Sequence, residues 1–143
     1  MESCQIRFAE RKDVPVILGF IRKLAEYEKL ENEVVATEKL LETWLFDKKK
    51  AEVLLAFEGE KPVGYALFFH NFSTFLGRAG IYLEDLFVLP EMRGKGYGKA
   101  LLSRVARLTV ERECGRLEWS CLDWNKPSLD FYHALGAKRM TGW

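Results

Sequence analysis

Three glycines stand at alternate positions in the stretch PEMRGKGYGKALL (residues 90–102), as Gly94, Gly96 and Gly98, and the basic residues Arg93, Lys95 and Lys99 are set among them. Glycines at this density permit positive φ and close backbone approach, which suits a loop that wraps an anion. Apolar residues at helical spacing follow, at Leu101, Leu102, Val105, Ala106 and Leu108. The loop therefore opens a helix whose first N–H groups lack partners and carry about half a positive charge. That arrangement offers phosphate binding. Each charge-assisted N–H contact contributes about 1.5–3 kcal/mol, so several on one diphosphate would offset the ordering of the glycines. The two common nucleotide motifs do not fit. Gly94 and Gly98 are one residue too close for the nucleoside-triphosphate loop, with Ala100 where its magnesium-binding hydroxyl belongs, and G-x-G-x-G is not the dinucleotide fingerprint G-x-G-x-x-G. Taken alone, the loop reads about equally well as a basic turn without a ligand.

The surrounding elements must present this loop. Ile6 and Phe8 alternate with polar neighbours as a short first strand. Asp13 offers a helix N-cap before apolar residues at Val14, Ile17, Leu18, Ile21, Leu24 and Ala25. An acidic segment, residues 26–34, leads to Thr37, which starts a second amphipathic helix through Leu40, Leu41, Trp44 and Leu45, closed by three solvated lysines at 48–50. Residues 51–57 and 63–69 are β-rich runs joined by EGEKP, a hairpin signal, and 81–89 is a further strand closed by Pro90. Beyond the loop and its helix, Leu117, Trp119 and Cys121 alternate in a strand, and 128–135 makes a short helix stopped by Gly136. The order β-α-α-β-β-β-α-β-α, free of repeats and linkers, predicts an α+β sheet packed by helices in a single domain over residues 1–143.

Composition narrows the function classes. At 143 residues and 48% hydrophobic, the chain supports one core. Twenty-two basic against 21 acidic residues leave no global charge that asks for nucleic acid or a membrane surface. The charged N-terminus and the lack of an apolar run near 20 residues predict a cytoplasmic protein with no membrane span. Cys4, Cys114 and Cys121 have no Cys-x-x-Cys spacing and lie far in sequence from His70 and His133, so reduced structural thiols and no metal are expected.

Two motifs together resemble one family. Arg93-x-x-Gly96-x-Gly98, between a strand and a helix, looks like the acetyl-CoA pyrophosphate loop of the GNAT superfamily of N-acetyltransferases. The segment WNKPSLDFYHALGA (residues 124–137) resembles that superfamily's N-x-x-S/A-x-x-F-Y-x-x-x-G-F/A signature. The likeness extends over nearly the whole chain toward the spermidine/spermine (diamine) branch through LAEYEKLENEV (24–34), YLEDLFV (82–88) and RGKGYG (93–98). It implies the GNAT fold, a mixed and mostly antiparallel sheet flanked by helices, with acetyl-CoA as co-substrate, a small-molecule amine as partner and a homodimeric assembly.

The implied reaction is attack of a primary amine on the acetyl thioester in a ternary complex. An amine with a pKa near 10.4 costs about 4–5 kcal/mol to hold neutral at pH 7, so a base, direct or through water, is needed. Glu84, in the strand before the loop, matches the base proposed for the polyamine acetyltransferases; the alternative is a carboxylate that positions the amine without moving its proton. On a regular strand Glu84 and Asp85 would face opposite sides. By resemblance Tyr132 is the general acid. Asn125 contacts the pantetheine arm, and that arm runs along the main chain of Leu86, Phe87 and Val88 beside a bulge and a local splaying of the sheet. The remaining cofactor positions implied are Arg93, Gly94, Lys95, Gly96, Tyr97, Gly98, Lys99 and Ser128. Cys121, within an alternating strand and without an evident base, reads as a structural thiol rather than an acetyl carrier.

For the acceptor, Tyr27 and Glu28 match substrate-contacting positions of the polyamine branch, within an acidic cluster that includes Glu31 and Glu33. Thr74 replaces an acidic residue of the polyamine enzymes, and the Ser73-Thr74-aromatic run, with Leu122-Asp123-Trp124-Asn125, resembles relatives that acetylate thialysine and similar small amino acids. Protein lysine or N-terminal acetylation, or a non-catalytic acyl-CoA sensor, are the alternatives. Family members continue past the final Gly-Trp into one more strand; this sequence stops at Trp143, so either more chain follows or the last strand is missing or supplied otherwise.

Overall fold

A computed structural model of the chain describes residues 4–119. Within them the sheet has five strands in the order β1-β2-β3-β4-β5: β1 (Cys4–Phe8), β2 (Glu52–Glu58), β3 (Lys61–Ser73), β4 (Arg78–Val88) and β5 (Leu117–Trp119). The first three pairings are antiparallel and β4 to β5 is parallel. The mixed, mostly antiparallel sheet expected from the sequence is thus present. Helix α1 (Val14–Tyr27) follows β1, α2 (Glu38–Leu41) precedes β2, and α3 (Tyr97–Glu111) joins β4 to β5. The element order agrees with the sequence reading as far as β5; the expected last helix lies outside the described residues.

Val53 to Ala56 and Val63 to Ala66 are buried without a break. Strands with no polar alternation must be covered on both faces, and here they are. On one face α1 lays Phe20 against Tyr65, their rings stacked 5.5 Å apart, with Phe87 tilted beside both. Strand alternation puts Phe68 on the face opposite Tyr65, and Arg112, one residue beyond α3, lies over the Phe68 ring at 5.9 Å. Helix α3 therefore covers the second face, burying Leu101, Val105 and Leu108. Arg112 also grips Glu52 with two bonds of 2.6 and 2.9 Å, tying the end of α3 to the start of β2.

Two local expectations are corrected. Asp13 does not cap α1. It ends a 3-10 turn (Arg11–Asp13), where its carboxylate accepts from the backbone N–H of Glu10 at 2.7 Å and from Arg7 at 2.8 Å, so the chain is capped one turn earlier than the apolar periodicity shows. The Arg7 bond, with burial opposing it, holds this carboxyl below its usual range. The second helix begins where expected, Thr37 accepting from Leu40 N–H at 3.1 Å, but after one turn it widens into a π-helical stretch (Glu42–Asp47). The wider turn leaves Trp44 half-exposed under Lys48 and keeps Leu45 buried. Strands β3 and β4 also extend past their apolar runs. Register continues out to Ser73 and Arg78 through His70, Asn71 and Phe72, where one or both faces meet solvent.

Candidate active site

The register of β3 and β4 passes from Leu67 opposite Asp85 to Phe68 opposite Leu83, so Glu84 is the extra residue of a β-bulge. Regular alternation, which would set Glu84 and Asp85 on opposite faces, does not run through this point. The bulge leaves Glu84 exposed and Asp85 partly buried, where its Oδ2 accepts the Tyr65 hydroxyl proton at 2.8 Å. Burial above all, opposed by the Tyr65 bond and helped by the negative charges of Glu84 and Glu28, raises the Asp85 carboxyl to about 6. Burial and the Asp85 charge likewise push the Tyr65 phenol well above its ordinary value.

Glu28 reaches this group because α1 ends beside it. The helix stops as Lys29 adopts φ 60, with Glu28 N–H on Leu24 O at 2.9 Å and Leu30 N–H on Ala25 O at 2.7 Å. Partial burial raises the Glu28 carboxyl. Glu31 and Glu33 sit in the following 3-10 turn, exposed. The acidic segment thus divides: Glu28 belongs with Glu84 and Asp85, and the other two face water. Thr74 is exposed in the β3–β4 turn.

The glycine loop occupies the end of the same strand. Gly94 and Gly96 have φ of 80 and 90, and Gly96 is the left-handed residue before α3. A Cβ at either would meet nothing within 4 Å, so backbone conformation, not crowding, demands glycine there. Gly96→Ala is expected to cost about 1–2 kcal/mol, seen as a lowered Tm. No side chain caps α3 among the described residues. The first turn of this 15-residue helix is flanked by exposed Lys95 and Lys99, an arrangement that suits an anion.

Arg93 is engaged differently from a free phosphate ligand. Its Nε donates to Val88 O at 3.0 Å, and its guanidinium lies 4.6 Å from the Tyr27 ring centroid and 5.6 Å from that of Phe87. It pins the loop to β4 and to the end of α1. Tyr97 is buried, so only its main chain faces the loop side. Among the described residues, β5 pairs with β4 from Ile81 to Leu83 and no strand pairs beyond it on that edge, alongside Leu86, Phe87 and Val88. Phe87 and Val88 side chains are core, as expected. Tyr132, Asn125 and Ser128, with Cys121, lie outside the described residues. Among the described residues no cluster of His, Cys, Asp and Glu could hold a metal ion, and no helix is long and apolar enough to cross a membrane.

Sequence reasoning missed Asp85 and Tyr65, which are 20 residues apart and share no local pattern. An aspartate inside the otherwise apolar run IYLEDLFVL is the available signal, since buried acids need partners.

A strand with a bulge, a glycine loop and a helix without a side-chain cap follow one another directly, the succession that the resemblance to acyl-CoA transferases implies, and comparison with known proteins gives the class. The acetyltransferase (GNAT) family matches over residues 18–137, and the chain belongs to that family. It is 41% identical over 155 aligned positions to the thialysine N-epsilon-acetyltransferase of Bos taurus, covering all of this chain and 91% of that one. It is 29% identical to the L-ornithine N5-acetyltransferase NATA1 of Arabidopsis thaliana, covering 97% and 81%. Among solved structures, an integron cassette protein from the mobile metagenome of V. cholerae superposes with a TM-score of 0.81 at 25% identity, covering 99% of this chain and 89% of that one. Acetyl transfer to amines is the activity these relatives support, and the chain is an amine N-acetyltransferase.

Proposed function

We propose that the chain transfers acetyl from acetyl-CoA to the side-chain amine of a small cationic amino acid of the thialysine or ornithine kind, or to a polyamine. The observation that carries this reading is the grouping of Glu28, Glu84 and Asp85 at the bulge of β4, a few residues before the glycine loop. Three carboxylates at one place draw a cation, and the strand that holds two of them leads directly to the anion site.

The co-substrate supplies an activated acetyl thioester. Its pyrophosphate is held by the N–H groups of Gly94, Gly96 and Gly98 and their neighbours, with Lys95 and Lys99, and its pantetheine arm by the main chain of Leu86, Phe87 and Val88 and by Asn125 and Ser128. Tyr27 and Glu28 hold the ammonium; Glu84, exposed at the bulge, accepts its proton directly or through water. Tyr132 donates a proton to the departing sulfur; with a pKa near 10, a tyrosine keeps that proton at neutral pH. The same resemblance supports a cytoplasmic homodimer with a single domain per chain, which sedimentation velocity checks for the assembly.

The deciding assay measures CoA release with thialysine, lysine, ornithine, spermidine and a lysine peptide as acceptors. Turnover with the free amino acids or spermidine at least tenfold above the peptide is expected. Peptide preference would make it a protein acetyltransferase. Tight CoA binding with no turnover on any amine would make it an acyl-CoA sensor.

A further inference from the structure

The two residues that separate the three glycines, Lys95 and Tyr97, both end at one atom. The Tyr97 hydroxyl donates to Oε2 of Glu58 at 2.5 Å, and Lys95 Nζ lies 3.7 Å from the same oxygen. Glu58 closes β2, opposite Cys4 of β1 and Lys61 of β3, so it is fixed by the sheet on both sides. Tyr97 is buried, while Lys95 is half-exposed. A phenol bound to a carboxylate at this distance is a strong, charge-assisted bond.

We propose that Glu58 is a positioning residue that latches the glycine loop in its anion-binding shape. This rests on reading the loop as the CoA pyrophosphate site. With glycines at 94, 96 and 98, the chain has little conformational preference of its own, and the side chains between them are where a constraint can act. The buried Tyr97 side chain reaches Glu58, which fixes the first residue of α3 and hence the direction of its first-turn N–H groups. Lys95, drawn to the same oxygen, is held at the loop beside that helix end. The latch also sets an opposing effect, because the Glu58 charge partly neutralises Lys95.

The two contributions separate by substitution. Tyr97→Phe removes the hydrogen bond and leaves the Lys95 pair; its Kd for CoA, measured by calorimetry, is expected to rise about tenfold. Glu58→Leu removes both contacts, and KM for acetyl-CoA should rise by a similar factor while kcat at saturating donor stays within twofold. Glu58→Gln keeps an acceptor for the phenol and frees Lys95, so its CoA affinity should equal or exceed that of the wild type and depend more steeply on salt. Wild-type affinity in both Tyr97→Phe and Glu58→Leu would overturn the latch. So would equal losses of Tm and kcat in all three variants, the pattern of a residue that only stabilises the fold. Wild-type protein that binds no CoA would overturn the donor reading and the latch together, whereas failure of the latch alone leaves wild-type binding intact.

Discussion

Glu84→Gln is expected to lower kcat for the preferred amine by about 100-fold at pH 7.5, with the Kd for CoA within twofold of the wild type. The amide keeps the size and hydrogen-bonding reach of the carboxylate and loses only its charge and basicity. On the proposed reading Glu28 and Asp85 remain beside Glu84 to draw the cation, so one lost negative charge on an exposed side chain weakens binding modestly. Removing a proton acceptor costs 10²–10⁴ in rate, of which about 100-fold is expected for an exposed carboxylate that shares its work with water. A tenfold or smaller fall, confined to KM for the amine and leaving the pH profile unchanged, would reduce Glu84 to a residue that positions the amine. Tyr132→Phe, which leaves every described group in place, should lower kcat to a comparable extent; unchanged turnover would reject it as general acid.

The second large effect is on stability. Asp85→Asn is expected to stabilise the protein at pH 7.5, because the buried wild-type carboxyl titrates near 6 in the fold against an ordinary 3.8. Between those values the folded state binds a proton that the unfolded state has lost, so this group's contribution to stability falls as pH rises from about 4 to about 6 and stays low above. The interval corresponds to roughly 3 kcal/mol, or a rise of roughly 6–12 °C in Tm for the variant at pH 7.5. The asparagine carbonyl can still accept the Tyr65 hydroxyl. Asp13 acts with the opposite sign: its lowered carboxyl stabilises the fold above its unfolded pKa, and this is lost as pH falls. The wild-type and variant unfolding curves must therefore be compared by their difference at each pH. A difference that does not change between pH 4 and 7.5 would show that Asp85 titrates normally.

What the sequence made legible divides along physical lines. Periodicity and turn chemistry located the strands and α-helices through β5, though not the 3-10 turns or the π-helical stretch, because apolar runs such as VGYALFF and the Gly-Pro punctuation around them are set by burial and local conformation. The glycine loop was legible for the same reason: positive φ at Gly94 and Gly96 is a local demand that residue type records. The bulge at Glu84 was not legible in periodicity, since a slip in register depends on the partner strand; only the family resemblance implied a bulge in this strand. The cap at Glu10 was hidden because Asp13 has the right side chain in almost the right place and spends it on Arg7. The grouping of Glu28, Asp85 and Tyr65 joins α1, β4 and β3, and the bonds of Glu58 join β2 to the loop. Both are products of topology.

Arg93 carries one more consequence. Its guanidinium rests on Tyr27 while its Nε holds Val88 O, so on the proposed reading one side chain belongs to the donor's wall and to the acceptor's. Two ligands that share a wall have interdependent affinities, and thermodynamic linkage makes that dependence equal in both directions. Whatever acetyl-CoA does for the amine, the amine does for acetyl-CoA. On the proposed reading any such coupling passes through a single cation lying over an aromatic ring.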